Sequence, residues 1–321
     1  MRAATATTAF AAIVLALSTS ATVAQGEIET LPVQGQVHLI AGGGGNVAAF
    51  VGPEGIMLVD SGRSDAADGV LAAVRRLSPL PIHYIVNTSA DSDHVGGNAK
   101  LAAAGRPAPG SNQAAYAEAP IYAHEKTYNR ISSPKAPEQP LPLAFWPTVT
   151  FFTAKRTLFF NDEPIELLWQ PAAHSDGDLL VFFRRSDVVV AGEVFNVDAF
   201  PVIDVARGGS IQGEIDALNR IIDITVPRLN QMDGTRVIPG HGRICNEAEV
   251  VEYRDMVTIV RDRVKALRDK GQTLEQTQAA RPAYEYEPLY GSDRGPWTTR
   301  MFVEAVYRSL PPAATPRPTR R

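Results

Sequence analysis

The stretch NTSADSDHVGGN, Asn87 to Asn98, decides how this chain is read. It starts at the end of IHYIVNTS, an apolar run that reads as a buried strand, and its aspartates, histidine and paired glycines then break the strand pattern. Polar side chains just past a strand end lie where loops converge on a shared site. Three other segments have the same placement: PAAHSDGD (Pro171 to Asp178), AGEVFN (Ala191 to Asn196) and IPGHG (Ile238 to Gly242). Three of the six histidines fall in these four segments.

Upstream, GQVHLIAG, GNVAAFVG and GIMLVDSG read as short strands punctuated by glycine. A helix follows through DAADGVLAAVRRL, with Ser64 placed to cap it and Val70, Leu71, Val74 and Leu77 at helical spacing. Gly42 to Gly45 read as a flexible turn, because no Lys-Ser or Lys-Thr follows to make a phosphate loop. Downstream, residues 105–147 are rich in Pro, Ala, Ser and Gly and read as a long surface excursion with one helix near Tyr122 to Ile131. Excursions of that length serve more often as walls or lids than as linkers. A second series of strands comes next: VTFFTAKRTLFF, PIELLWQPA, DLLVFFRRS and DVVVAGEVF. It leads to a helix from about Ser210 to Leu229 and the strand TRVIPGH. Asn246 and Glu249 have capping-box spacing, and Val250, Tyr253, Val257, Val260, Val264 and Leu267 form one apolar stripe before Gly271. Strands followed by helices, twice over, predict an α+β fold of two packed mixed sheets with helices on both outer faces.

The 321 residues are 45% hydrophobic and 21% charged, which allows a large buried core and argues against disorder. A net charge of −4 without a Lys/Arg run excludes an electrostatic footprint for nucleic acid. Met1 to Ala24 carry Arg2, the apolar stretch AFAAIVLAL and small residues ending at Ala24, the layout of a signal peptide. That predicts a leader over 1–24, one domain over 25–310 and a disordered tail over 311–321, with the mature protein periplasmic or secreted and free of the membrane. Cys245 is the single cysteine, so an internal disulfide and Cys-rich zinc sites are both excluded. Any metal must be held by histidine and carboxylate.

The Asn87–Asn98 stretch resembles the metal-binding signature of the metallo-β-lactamase superfamily, His-x-His-x-Asp-His followed by Gly-Gly. Asp93, His94, Gly96 and Gly97 match it, while Ser89 and Asp91 stand where the family has its first two histidines. VDSG at Val59 to Gly62 matches the landmark that precedes the signature. His174 is similar to the third histidine of the first metal site, Glu193 falls where the family has a bridging aspartate, and His241 is similar to the last ligand of the second site. The resemblance implies a four-layer αβ/βα sandwich and a metal-dependent hydrolase. It implies metal ligation by Asp93, His94 and His241, an intact three-ligand set with open positions. His174, Asp91 and Glu193 are candidates for a second, altered position, with Ser89 as a hydrogen-bonding neighbour. Three carboxylates facing one site would repel unless cations neutralise them, which favours at least one metal. Zn2+, as one or two ions, ranks first, and the added oxygen donors also suit Mn2+ or Fe2+.

The implied chemistry is attack by metal-activated hydroxide on an ester, thioester, lactam or phosphoester bond of a small-molecule substrate, with Asp93 orienting or deprotonating the water. A non-catalytic relative that has lost the first metal site is the alternative, and a redox enzyme using iron is a third. His38 and His83 read as packing or surface residues, His124 as a residue that could approach the site, and the aromatic residues of GSDRGPWTTRMF as ordinary packing, with a pocket wall as the alternative.

Overall fold

Short apolar runs separated by glycine and polar turns become strands because alternate side chains can be buried on either sheet face. The computed structural model describes residues 27–115, 117–134 and 138–311. The leader and nearly all of the tail read from the sequence lie outside the described residues.

The first sheet holds β1 (Glu29–Gln34), β2 (Val37–Ala41), β3 (Val47–Gly52), β4 (Gly55–Val59), β5 (Ile82–Val86), β6 (Ile121–His124) and β7 (Val149–Phe151), neighbours in chain order. Strands β1 to β4 run antiparallel and β4 to β7 parallel. Helices α1 (Ala67–Leu77), α2 (Ser92–Val95), α3 (Asn98–Ala103) and α4 (Glu125–Ser132) lie in the connections. The second sheet holds β8 (Lys155–Phe160), β9 (Glu163–Gln170), β10 (Asp178–Phe183), β11 (Val188–Asn196), β12 (Arg236–His241) and β13 (Cys245–Asn246). Only β11 and β12 run parallel there, and their crossover carries α5 (Ile211–Ile224). The chain then continues through α6 (Glu247–Asp269), α7 (Leu274–Ala279), α8 (Glu287–Tyr290) and α9 (Thr299–Ser309).

Three apolar layers hold these pieces together. Between the sheets, the Phe50 ring lies 4.9 Å from that of Phe183 and 6.3 Å from that of Phe160. Each such fully buried side chain contributes about 1.5–3 kcal/mol. Val70 and Val74 of α1 with Leu101 of α3 cover Leu58 and Ile85 on one outer face. Leu218, Ile221, Val257 and Phe302 cover Phe195 on the other. Helix, sheet, sheet, helix is the four-layer sandwich expected from the strand and helix pattern.

Several boundaries differ from the sequence reading. Residues 105–147 are not only a surface excursion, because the fully buried β6 lies within them and Tyr122 is in that strand, with the helix starting at Glu125. VTFFTAKRTLFF splits into β7 and β8, which belong to different sheets. Helix α5 ends at Ile224 instead of near Leu229, since Pro227 disfavours helix at the residue before it. Ser64 opens a short 3-10 turn and makes no side-chain cap to α1. The capping box at Asn246 and Glu249 is present.

Candidate metal centre

Parallel strands end at the same level, so β4 and β5 deliver Asp60 and Asn87 side by side at one edge of the sandwich. In the second sheet, the β11–β12 register shifts on both sides of Gly192. That irregularity turns the Glu193 side chain out of the ladder. Gly192 has φ +53, and a Cβ there would lie 2.5 Å from Thr88 Oγ1 of the facing loop. The close approach brings the edges of the two sheets together, with Asp93 and His94 on one side and Glu193 and His241 on the other.

Asp60, just past β4, takes φ +64, a conformation that a short polar side chain tolerates. Its carboxylate accepts hydrogen bonds from Thr88 N at 2.7 Å, Thr88 Oγ1 at 2.6 Å and His94 Nδ1 at 2.8 Å. Because an ionised carboxylate only accepts, the His94 proton belongs on Nδ1 and Nε2 faces the cluster. His94 Nε2 is 2.6 Å from Glu193 Oε1, and His241 Nε2 is 3.1 Å from both Glu193 Oε1 and Asp93 Oδ2. One ligand atom from each of Asp93, His94, Glu193 and His241 lies within 4.8 Å of all the others. Tetrahedral ligands about 2.0–2.1 Å from zinc stand about 3.3 Å apart, the scale of the 2.6 Å and 3.1 Å pairs here, and two imidazoles with two carboxylates are a donor set suited to a divalent cation.

Backbone contacts hold the fourth member in place. Asn46 Nδ2 donates to the carbonyls of Pro239 and Gly242, both at 2.9 Å, and Asn46 N donates to Gly240 O at 2.8 Å. His241, the last residue of β12, is therefore clamped to the turn between β2 and β3. Gly45 has a stricter role than the flexible turn read from the sequence. A Cβ there would stand 2.9 Å from the Asp93 carbonyl and 3.5 Å from His94 Nε2.

Charge in the cluster is organised for a cation. Burial alone would lower the His94 imidazole, but Asp60 and Glu193 outweigh it and raise the group well above its usual value. Bonds to Asp93 and then Glu193 push His241 up to about 9. Burial would raise Glu193, yet its bonds to His241 and His94 hold it well below the usual carboxylate range. Positive charge is thus strongly favoured among these four side chains, whether carried by imidazole protons or by a metal.

The neighbouring position is built differently. His174 donates from Nδ1 to Val202 O at 2.7 Å and meets Asp91 Oδ2 at 2.7 Å through Nε2. The other oxygen of Asp91 accepts from Arg207 Nη1 at 3.2 Å. Ser89 Oγ accepts from Asp91 N at 3.2 Å, the neighbour role expected of it. Among the six candidates read from the sequence, four gather into one group, while Asp91 and His174 pair with each other beside it. Glu193 joins Asp93, His94 and His241 instead of Asp91 and His174.

A cavity of about 750 Å³ opens over both positions. Asp91, Asp93, His174, Glu193 and His241 form its polar floor, and Val202, Ile203, Val205, Trp297, Met301 and Ala305 an apolar wall. Of GSDRGPWTTRMF, Trp297 both packs against the core beneath α9 and, with Met301, lines the cavity. His124 caps α4 through Nδ1 and stacks on Trp169 at 4.3 Å, and His83 is buried, with Nδ1 2.8 Å from Arg106 O. Neither lines the cavity.

The sequence model of the metallo-beta-lactamase superfamily matches residues 40–241, from β2 to the last histidine of the site. The chain belongs to the metallo-beta-lactamase superfamily. No curated protein matches it in sequence. Among solved structures it is similar to a stereoselective inverting sec-alkylsulfatase from Pseudomonas sp., with a TM-score of 0.59 and 14% identity over 88% of this chain and 50% of that one. The chain thus spans about half the length of that enzyme. It is also similar to a metallo-beta-lactamase from Pontibacter korlensis, at TM-score 0.53 and 15% identity over 72% of this chain and 99% of that chain. For the DIM-1 metallo-beta-lactamase the values are 0.54, 16%, 72% and 97%. These likenesses carry the fold. The superfamily is typically one of metal-dependent hydrolases, and α9 with its share of the cavity wall lies outside the matched segment.

Two residues that shape the site carried little signal in the sequence. Asp60 sits in the VDSG landmark, but only its approach to His94 reveals that it orients an imidazole. Arg207 lies in no motif, and its contact with Asp91 spans 116 residues of chain.

Proposed function

We propose that the protein is an exported metal-dependent hydrolase acting on a small molecule with an apolar portion. The observation that carries this reading is the convergence of Asp93, His94, Glu193 and His241 within 4.8 Å on the floor of a cavity. These four residues would hold a divalent cation, zinc by preference, with Mn2+ or Fe2+ also suited to the two carboxylates. Such a cation supplies Lewis acidity and acidifies water to a pKa of about 7.

The chain's own residues perform the remaining work. Asp60 fixes the His94 ring so that Nε2 faces inward. Asp93, partly open to the cavity, orients the attacking water with the carboxylate oxygen not bonded to His241 and takes its proton. The apolar wall seats the substrate's hydrocarbon part beside the reacting bond. Ester, thioester, lactam and phosphoester bonds all fit this chemistry.

The test is elemental analysis of protein purified without chelator, followed by turnover of a panel of those four bond types. A bound divalent metal and a hydrolysed substrate are expected, both lost in Asp93→Ala and His241→Ala. Metal-loaded protein that turns over nothing in the panel, with unchanged stability in both variants, points to the non-catalytic relative instead.

A further inference from the structure

We propose that Arg207 takes the place of a second metal ion, making this a one-ion centre in which a guanidinium holds Asp91 where the family resemblance implies a ligand. This rests on the metal-centre reading above and deepens it. The 3-10 turn Val205–Arg207 is fixed against the loop that carries His174. Asp204 N donates to His174 O at 2.9 Å, Asp176 N donates to Arg207 O at 3.0 Å, and Arg130 Nη2 bridges Asp176 Oδ1 at 2.6 Å and Arg207 O at 2.9 Å. At Gly209 a Cβ would fall 2.1 Å from the His174 carbonyl, so the two loops are in backbone contact. The guanidinium is thus delivered to Asp91 by packed backbone.

Three carboxylates surround it. Arg207 Nη1 is 3.2 Å from Asp91 Oδ1, Nη2 is 2.6 Å from Glu138 Oε1 and Nε is 3.2 Å from Asp204 Oδ2. Arginine stays charged at any working pH, so its charge is permanent. Of the donors read for a second position, those of His174 and Asp91 are engaged, while Glu193, bonded through Oε1 to His94 and His241, belongs to the first group. His174 is bonded at both ring nitrogens, Asp91 at both oxygens, and Ser89 Oγ by Asp91 N. A divalent ion entering there would have to separate His174 from Asp91 and lie next to a fixed positive charge, without three free protein ligands. The neighbouring group offers four ligand atoms, and among the described residues no guanidinium is bonded to it. Arg207 is a positioning residue: it acts on the centre through Asp91.

The test counts metal, not turnover. The full chain as purified is stripped, titrated with Zn2+ by calorimetry, then desalted and measured by elemental analysis. Wild type and Asp91→Asn are expected to hold one ion per chain, and His241→Ala less than a tenth of that. R207Q is expected to show a second, weaker binding event that wild type lacks, while R207K keeps a single event. Two ions per wild-type chain would overturn the proposal and leave the hydrolase reading standing. Loss of the ion in Asp91→Asn, or a single event in a folded R207Q, would also overturn it. If R207Q does not fold, the wild-type count and Asp91→Asn still decide. No bound ion in wild type removes the metal-centre reading together with this one.

Discussion

The two halves of the centre face the same cavity and solve the same electrostatic problem in different ways. On one side Asp93 and Glu193 meet two imidazoles whose nitrogens converge on a single point. On the other side Asp91 meets His174 and Arg207, a pairing complete within the chain. Both carboxylate groups are matched by positive charge, the first by two imidazole rings and the second by one imidazole and a permanent guanidinium. The difference teaches that a ligand position can be retired without emptying it, provided that the remaining carboxylate gains a permanent cation.

The sharpest way to break this comparison is to remove one ligand from the first half. Glu193→Gln should weaken metal binding by at least about 100-fold, beyond the 10–100-fold typical of residues that merely orient ligands. Competition titration with a chelating dye would measure it, and a loss below tenfold would place Glu193 outside the ligand group. Next in size is Asp60→Asn, which keeps a side chain that tolerates positive φ but weakens the support of His94. A 10–100-fold loss of metal affinity is expected in the same assay, with the fold retained.

Protonation gives a third test. Because His241 is raised from 6.5 to about 9, its protonated ring stabilises the metal-free protein fully below pH 6.5, and that contribution is lost as pH rises through about 9. A metal competes with this proton, so affinity should climb between pH 6.5 and 9 and binding at pH 7 should release protons. Calorimetry in buffers of different ionisation enthalpy reports the release; a flat affinity across that window would remove His241 from the ligand set.

A last test lies behind both halves, on stability rather than on metal affinity. Glu214 on α5 is buried with neither carboxyl oxygen hydrogen-bonded, and burial raises it well above 4.5. A raised carboxyl contributes stability that is whole below pH 4.5 and lost as pH rises from there toward its folded value. Glu214→Met removes the buried polar group and should raise stability by about 1–3 kcal/mol at pH 8 and by less at pH 5. Thermal unfolding at the two pH values measures this, and equal gains at both would show that ionisation of Glu214 is not the cause.

Much of the site was legible because its residues cluster in short motifs after strands. Asp93 and His94 share one turn, and His241 ends a strand with an unbroken apolar pattern. Glu193 was visible as a candidate, but its company was not: the shift around Gly192 that turns it toward His94 leaves no trace in the one-letter pattern. Trp297 could be read as packing or as a cavity wall, and only the placement of α9 over the floor showed that it is both.

The sequence by itself determined the alternation of strands and helices, the capping of α6 and three of the four converging metal-type ligands, because these follow from local periodicity and residue chemistry. Only the tertiary structure decided that Asp60 orients His94, that Glu193 completes the group, and that Arg207 satisfies Asp91. Those are contacts between segments 34, 99 and 116 residues apart. No local pattern encodes them, since they arise only when two packed sheets bring their loop-bearing edges together.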